Sequence, residues 1–256
     1  RLRLLHTNEN RGAVTINEER DYHFRYVLED NFGNRRTYQF IVKGKRQDIP
    51  EYKPEANEML YWNRTNVIQK PGMELVVPRY HVYENVPLRT DMRGDSSRIA
   101  FDYILDAGRT PIHSYCDLSI GLRHMPVADT TKYYIVQKAG KWRSSMGGKY
   151  ANGWIKTRVR SLGTFSVDVD TIAPQITPIG QGGWRTSRNI RFRIKDMESG
   201  IGSYKVYIDG KFVLFGLKKG ILVIQDPEKV KKGVPHKLEV TVTDQCGNMA
   251  RKEYKF

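Results

Sequence analysis

Six histidines, His6, His23, His81, His113, His124 and His236, are the residues best suited to metal or acid–base chemistry in this 256-residue chain. No two are separated by one, two or three residues, so the H-x-H, H-E-x-x-H and H-x-x-x-H spacings that place two imidazoles on one metal are absent. His113 and Asp117 form one H-x-x-x-D (HSYCD). On a strand, a spacing of four only puts both on one face, and no second imidazole lies nearby in sequence. Cys116 beside His113 could make a Cys–His dyad, but a buried strand cysteine next to a surface histidine is the simpler reading. There is no G-x-S-x-G elbow. The glycine clusters GQGGW and MGGKY lack the P-loop Lys-Ser/Thr pair and a following helix. No catalytic or metal-ligating residue is therefore assigned to this chain, and no cofactor.

Acidic turns and basic strands remain. Asp196-Met-Glu198-Ser-Gly200, Asp30 and Asp244 stand at oxygen-rich turns of the kind calcium uses. Capping of the turns by the aspartate side chains explains the same residues without a metal and is preferred. The NRT triplet at 63–65 fits a glycosylation sequon and carries no weight. The chain holds 43 Lys+Arg against 28 Asp+Glu, a formal charge of +15. Lys156, Arg158 and Arg160 share one strand face opposite Ile155, Thr157 and Val159. Arg191, Arg193 and Lys195 do the same opposite Ile190, Phe192 and Ile194. Such faces can meet an acidic polymer, or simply be solvated outer faces that discourage edge aggregation. Base stacking needs aromatics among the cations on the same exposed face. Here the aromatics fall on the core-facing side, which argues against nucleic acid as a partner.

The elements that position these residues are strands. Alternation recurs at Phe24/Tyr26/Leu28, Tyr38/Phe40/Val42, Ile99/Phe101/Tyr103/Leu105, Leu118/Ile120/Leu122, Phe165/Val167/Val169, Tyr204/Val206/Ile208 and Leu238/Val240/Val242. Turn signals such as DNFGN, MRGDSS, MGGKYANG, ESGIG, IDGK and DQCGN separate the runs. No window of ten residues keeps a helical period. The expected fold class is all-β, a tandem array of immunoglobulin-like β-sandwich modules. LEDNFGNRRTYQF (28–40) and VTDQCGNMARKEYKF (242–256) share one plan: a strand, Asp, two residues, Gly-Asn, then a strand ending Tyr-x-Phe. Asp30 and Asp244 are expected to cap the turn, with Gly33 and Gly247 at positive φ beside Asn34 and Asn248, and the aromatic strands to face inward in both copies.

The expected organisation is residues 1–46 as the last strands of one module, 47–70 as an extended linker, 71–172 as a middle sandwich and 173–256 as a C-terminal one. The prolines of TIAPQITP mark the hinge between the last two. Cys116 and Cys246 then lie in different modules, which argues against a bridge. No stretch approaches ~18 consecutive apolar residues, so no transmembrane segment is expected. The start at Arg1 rather than Met reads as a mature or truncated part of something longer.

GGKYANGWIKTRVRSLGTFSVDVDTIAPQITPIG (147–180), SGIGSYKVYIDGKFVLFG (199–216), HKLEVTVTDQCGNMARKEYKF (236–256) and YVLEDNFGNRRTYQFIVKGK (26–45) together resemble the C-terminal β-sandwich region of exported lysostaphin-type zinc metallopeptidases of Gram-negative bacteria. The resemblance covers essentially the whole chain. It implies a non-catalytic accessory region attached to an N-terminal peptidase domain that holds the zinc. It also implies peptidoglycan or an acidic envelope polymer as a partner, and a location in the periplasm, at the cell envelope or outside the cell. That family binds zinc through H-x-x-x-D and H-x-H; this chain has no H-x-H, and its one H-x-x-x-D, His113/Asp117, falls inside an expected sandwich module rather than the peptidase fold, so the family's catalytic residues are not carried over. The alternative function is a stand-alone cell-envelope adhesin or glycan- or protein-binding module.

Overall fold

The computed structural model describes residues 14–46, 55–95, 97–108 and 110–256. Residues 1–13 of the first expected module, with His6, and 47–54 of the expected linker lie outside them. The chain divides into two compact units, Arg1–Lys53 and Pro54–Phe256. The fold is all-β, with every strand pair antiparallel among the described residues. No helix among them is long and apolar enough to cross a membrane.

Among its described residues, the first unit contains a hairpin of β1 (Asp21–Glu29) and β2 (Arg35–Lys43). Its register pairs Phe24 with Phe40 and Tyr26 with Tyr38, so the aromatics form one cross-strand ladder, with the Phe24 and Phe40 rings stacked at 5.1 Å. The alternation predicts that this ladder faces inward. Instead Tyr26, Tyr38 and Phe40 are exposed, because period two fixes only which side chains share a face, not what covers it.

The second unit begins with an eleven-strand sandwich: β3 (Glu58–Leu60), β4 (Asn66–Lys70), β5 (Met73–Val77), β6 (Val86–Arg93), β7 (Asp102–Asp106), β8 (Cys116–Gly121), β9 (Tyr133–Ala139), β10 (Trp142–Ser145), β11 (Lys149–Ala151), β12 (Trp154–Val159) and β13 (Gly163–Val169). One sheet runs β10-β9-β13-β7-β6-β3 and the other β11-β12-β8-β5-β4. Leu60, Leu75, Leu88, Leu105, Leu118, Ile120 and Phe165 fill the space between them. The linker expected over 47–70 is thus corrected: β3 and β4 lie within it and bury Leu60 and Ile68. Pro71 and Gly72 form the two-residue turn into β5, where Lys70 pairs with Met73. Gly72 has φ +76°, the geometry that favours glycine after proline in a turn.

The second sandwich contains β14 (Gln175–Ile179), a one-turn helix α1 (Trp184–Ser187), β15 (Arg191–Lys195), β16 (Ile201–Ile208), β17 (Lys211–Phe212), β18 (Phe215–Lys218), β19 (Ile221–Ile224), β20 (Lys237–Asp244) and β21 (Met249–Lys255). Its sheets run β14-β15-β19-β18 and β17-β16-β20-β21. Fully buried Trp184 closes the core, edge-on to Phe192, Tyr254 and Phe256. Its indole N–H donates to the Ile179 carbonyl at 2.9 Å, which satisfies the one polar group it buries.

Candidate functional site

The repeated turn forms the same hydrogen bonds in both places. In the first copy Asp30 Oδ1 accepts from the amides of Phe32 and Asn34, both at 2.9 Å, while Asn34 Nδ2 donates to Asp30 Oδ2 at 2.8 Å. In the second, Asp244 Oδ1 accepts from Cys246 and Asn248 at 2.8 Å, and Asn248 Nδ2 donates to Asp244 Oδ2 at 2.8 Å. Gly33 and Gly247 sit at φ +81° and +79°. These six residues are turn-formers, as their spacing predicts. Their surroundings differ: Phe32 is 92% exposed, whereas its counterpart Cys246 is 2% exposed and packs against Tyr134 and Val136 of β9.

That difference arises because the second turn clasps the neighbouring sandwich. Asn248 Nδ2 also donates to the Asp170 carbonyl at 3.0 Å, and Lys132 Nζ donates to the Cys246 carbonyl at 3.0 Å. Asp170, fully buried just past β13, accepts from the Ile172 amide at one oxygen and from the Ser199 amide and hydroxyl at the other. Tyr134 donates to Glu198 across the same seam at 3.3 Å. The TIAPQITP stretch thus lies beside a hydrogen-bonded weld. The sequence reading missed Asp170. Asp170 continues the polar/apolar alternation of SVDVD as if it were another outward position, so the pattern gives no sign of its burial.

Asp170, Asp196 and Asp244 each bring a carboxylate oxygen within 4.8 Å of the others, the one grouping among the described residues with the donors for a metal ion. Every one of these carboxylates also accepts local N–H groups. Asp196 takes the amides of Glu198 and Gly200, the capping role read from its turn. Burial, reinforced by the Asp170 charge, holds the Asp244 carboxyl above the usual range against the pull of the Asn248 and Cys246 donors. Asp30, exposed and held by the same donors, is shifted below it.

The two sequence-adjacent pairs considered for chemistry do not assemble a centre. His113 Nδ1 lies 3.0 Å from the Tyr83 hydroxyl, while Asp117 on β8 faces Arg158 and Val76 across the sheet. Among the described residues, neither joins a group of three or more side chains with metal-ligating atoms close together. Cys116 is buried, and desolvation with the neighbouring Asp117 pushes its thiol up to about 11, which suppresses the nucleophilic thiolate. Both cysteines are free.

The basic faces differ in composition. Lys156 and Arg158 lie on the outer face of β12, where the register sets Lys156 between Lys149 and Ser119, and Arg158 opposite Asp117; Glu74 lies one strand further on. Arg158 also stacks over Tyr115, and Arg160 donates to the His113 carbonyl. Arg191, Arg193 and Lys195 project from β15 in the other sandwich, alternating with buried Phe192 and Ile194. The structure does not bring the two sets onto one sheet.

Among curated proteins none matches this chain. Residues 57–170, which take in all eleven strands of the first sandwich of the second unit, match the family model of the Zu5-like domain.

Proposed function

We propose that this chain is a non-catalytic accessory region of an exported zinc metallopeptidase acting on peptidoglycan. In this reading it positions the enzyme at the cell envelope and meets acidic wall or outer-membrane polymers there. The zinc and the hydrolytic chemistry belong to the N-terminal peptidase domain implied by the sequence resemblance, and the working location is the periplasm, the envelope or the exterior. The observation that carries the positioning role is the weld between sandwiches. Asp170, Asn248, Lys132 and Cys246 hold the two modules through main-chain and side-chain bonds that are largely shielded from water. Buried hydrogen bonds of this kind fix an orientation, because breaking one leaves an unsatisfied group. A fixed pair of sandwiches is what a spacer or positioning arm requires.

The test is the mass and zinc content of the native polypeptide, followed by co-sedimentation with purified peptidoglycan. A mass well above 29.7 kDa with about one zinc per chain, and pelleting that weakens as salt screens the charges, is the expected result. A zinc-free native protein near that mass would overturn the peptidase association and leave a stand-alone binding module.

A further inference from the structure

We propose that the outer face of the β14-β15-β19-β18 sheet is a docking surface for an extended acidic glycan, and that the basic face on β12 is not. The inference rests on the envelope-binding reading above and narrows it to one surface and one ligand chemistry.

The registers define this face. Arg191 lies between Ile179 and Val223, and Arg193 between Thr177 and Ile221, with Lys195 opposite Gln175. Gly216 and Lys218 of β18 complete the two rows beyond Val223 and Ile221. Four cations, Arg191, Arg193, Lys195 and Lys218, are exposed on it. No outward position on these four strands is acidic, and among the described residues none of the four cations forms an ion pair.

The other faces are different. On the far side of the same sandwich, Lys237 pairs with Glu253 and Arg251 with Glu239. The β12 face carries Asp117 and Glu74 among its cations. A sheet face with only one sign of charge focuses potential, and a mixed one cancels it.

Spacing and chemistry indicate the ligand. Outward side chains along one strand recur about every 7 Å, and Lys218 stands two strands, about 10 Å, from β15. A line of cations at that interval suits oxyanions repeated along an extended chain rather than one compact anion. Guanidinium groups add two-pronged recognition of carboxylate or phosphate. Between the arginines and Lys218 runs a half-buried aliphatic stripe, Ile221 and Val223, on which the C–H face of a sugar ring can lie. No aromatic occupies an outward position here, so the stacking platform that single-stranded nucleic acid uses is missing.

The experiment uses the full chain and three probes: polygalacturonate, a mannan carrying phosphodiester groups and a single-stranded oligo-dT. Two triple variants remove the same charge from different faces: Arg191→Gln/Arg193→Gln/Lys218→Gln, and Lys149→Gln/Lys156→Gln/Arg158→Gln. Expected is binding to one or both glycans that falls about tenfold or more in the first variant and less than about threefold in the second. The glycan bound tells carboxylate from phosphodiester as the anion. Equal losses in both variants, or a loss confined to the second, would overturn the assignment of the face while leaving envelope binding intact. Tighter binding of oligo-dT would overturn the ligand class. Binding to none of the probes would overturn this proposal, and retained pelleting with peptidoglycan would then show that the envelope reading survives without it.

Discussion

His236 holds Asp209 with one ring nitrogen and the Lys231 carbonyl with the other: Nδ1 lies 2.6 Å from Asp209 Oδ2, and Nε2 lies 2.6 Å from Lys231 O. Both partners are acceptors, so the imidazolium, with a proton on each nitrogen, is the form that satisfies both contacts at once. Burial opposes that charge, but the carbonyl and the carboxylate outweigh it and raise the pKa above the ordinary histidine value, with Arg185 pulling slightly against them. The Asp209 carboxyl, bonded to His236 and to the Lys237 amide, is lowered. A raised histidine stabilises the fold fully below about pH 6.5 and loses that contribution as pH climbs through the folded value. A lowered aspartate loses its contribution only in acid, below about pH 4.

The C-terminal sandwich should therefore melt at a higher temperature at pH 6 than at pH 9. His236→Ala should cost about 1–3 kcal/mol at pH 6 and flatten the difference between the two pH values. A calorimetric series in which the variant keeps the wild-type pH dependence would refute the role of this pair.

Asp30 and Asp244 offer a second test, because one local motif places them in opposite environments. Each accepts two amides and an Asn side chain, yet Asp30 is lowered by Asn34 while Asp244 is raised by burial beside Asp170. Desolvation and like charge win over hydrogen bonding only where water is excluded. Side-chain carboxyl NMR across pH 2–7 should find Asp30 titrating below about 3.9 and Asp244 above it. The junction should gain stability as acid protonates Asp244, since a raised carboxylate costs the fold stability once pH exceeds its pKa. Two matching titrations would mean that the turn alone sets the charge.

How much of this was legible depended on where polar groups went. The alternation of exposed and buried residues over Arg191–Lys195 is plain in the sequence because five residues alternate without interruption, and its orientation in the sheet follows. β4 is hidden for the opposite reason. Asn66 is buried with its amide bonded to Tyr61 and Arg64, a polar residue at a core position that hydropathy counts as linker. Asp170 and Ser199 are buried polar residues of the same sort. The hairpin ladder shows the converse: alternation identified the face of Tyr38 and Phe40 but held no information on its cover. Most of the candidate site rests on pairings remote in sequence, and these have no local signature.

Gly72 and Tyr103 are coupled in a way a double-mutant cycle can read. A Cβ on Gly72 would lie 2.6 Å from the Tyr103 hydroxyl, which itself donates to the Pro71 carbonyl at 2.7 Å. Gly72→Ala therefore meets both an unfavourable φ and a clash, and should destabilise the first sandwich by about 1–3 kcal/mol. Tyr103→Phe removes the colliding oxygen. In that background Gly72→Ala should cost measurably less, with a coupling of about 0.5–1 kcal/mol. Strict additivity in urea melts would show that φ alone sets the penalty.

The weld itself can be followed through Cys246. Its thiol is buried and pushed up to about 11, chiefly by desolvation, so alkylation at neutral pH requires the junction to open and admit water. Asn248→Ala removes the donor to both the Asp170 carbonyl and Asp244. Asn34→Ala makes the matching deletion in the exposed copy of the turn. Losing a buried hydrogen bond to a charged group costs about 1.5–3 kcal/mol, so Asn248→Ala should speed Cys246 alkylation by about tenfold or more, and Asn34→Ala should leave it unchanged. Cys116, enclosed in the core of the neighbouring sandwich, is the internal reference. If Cys246 alone accelerates in peptide-resolved mass spectrometry, the seam opens as a local event while both sandwiches stay folded. If both cysteines accelerate together, the seam has no stability separate from the sandwiches, and the Asp170–Asn248 contact is not the element that fixes their arrangement.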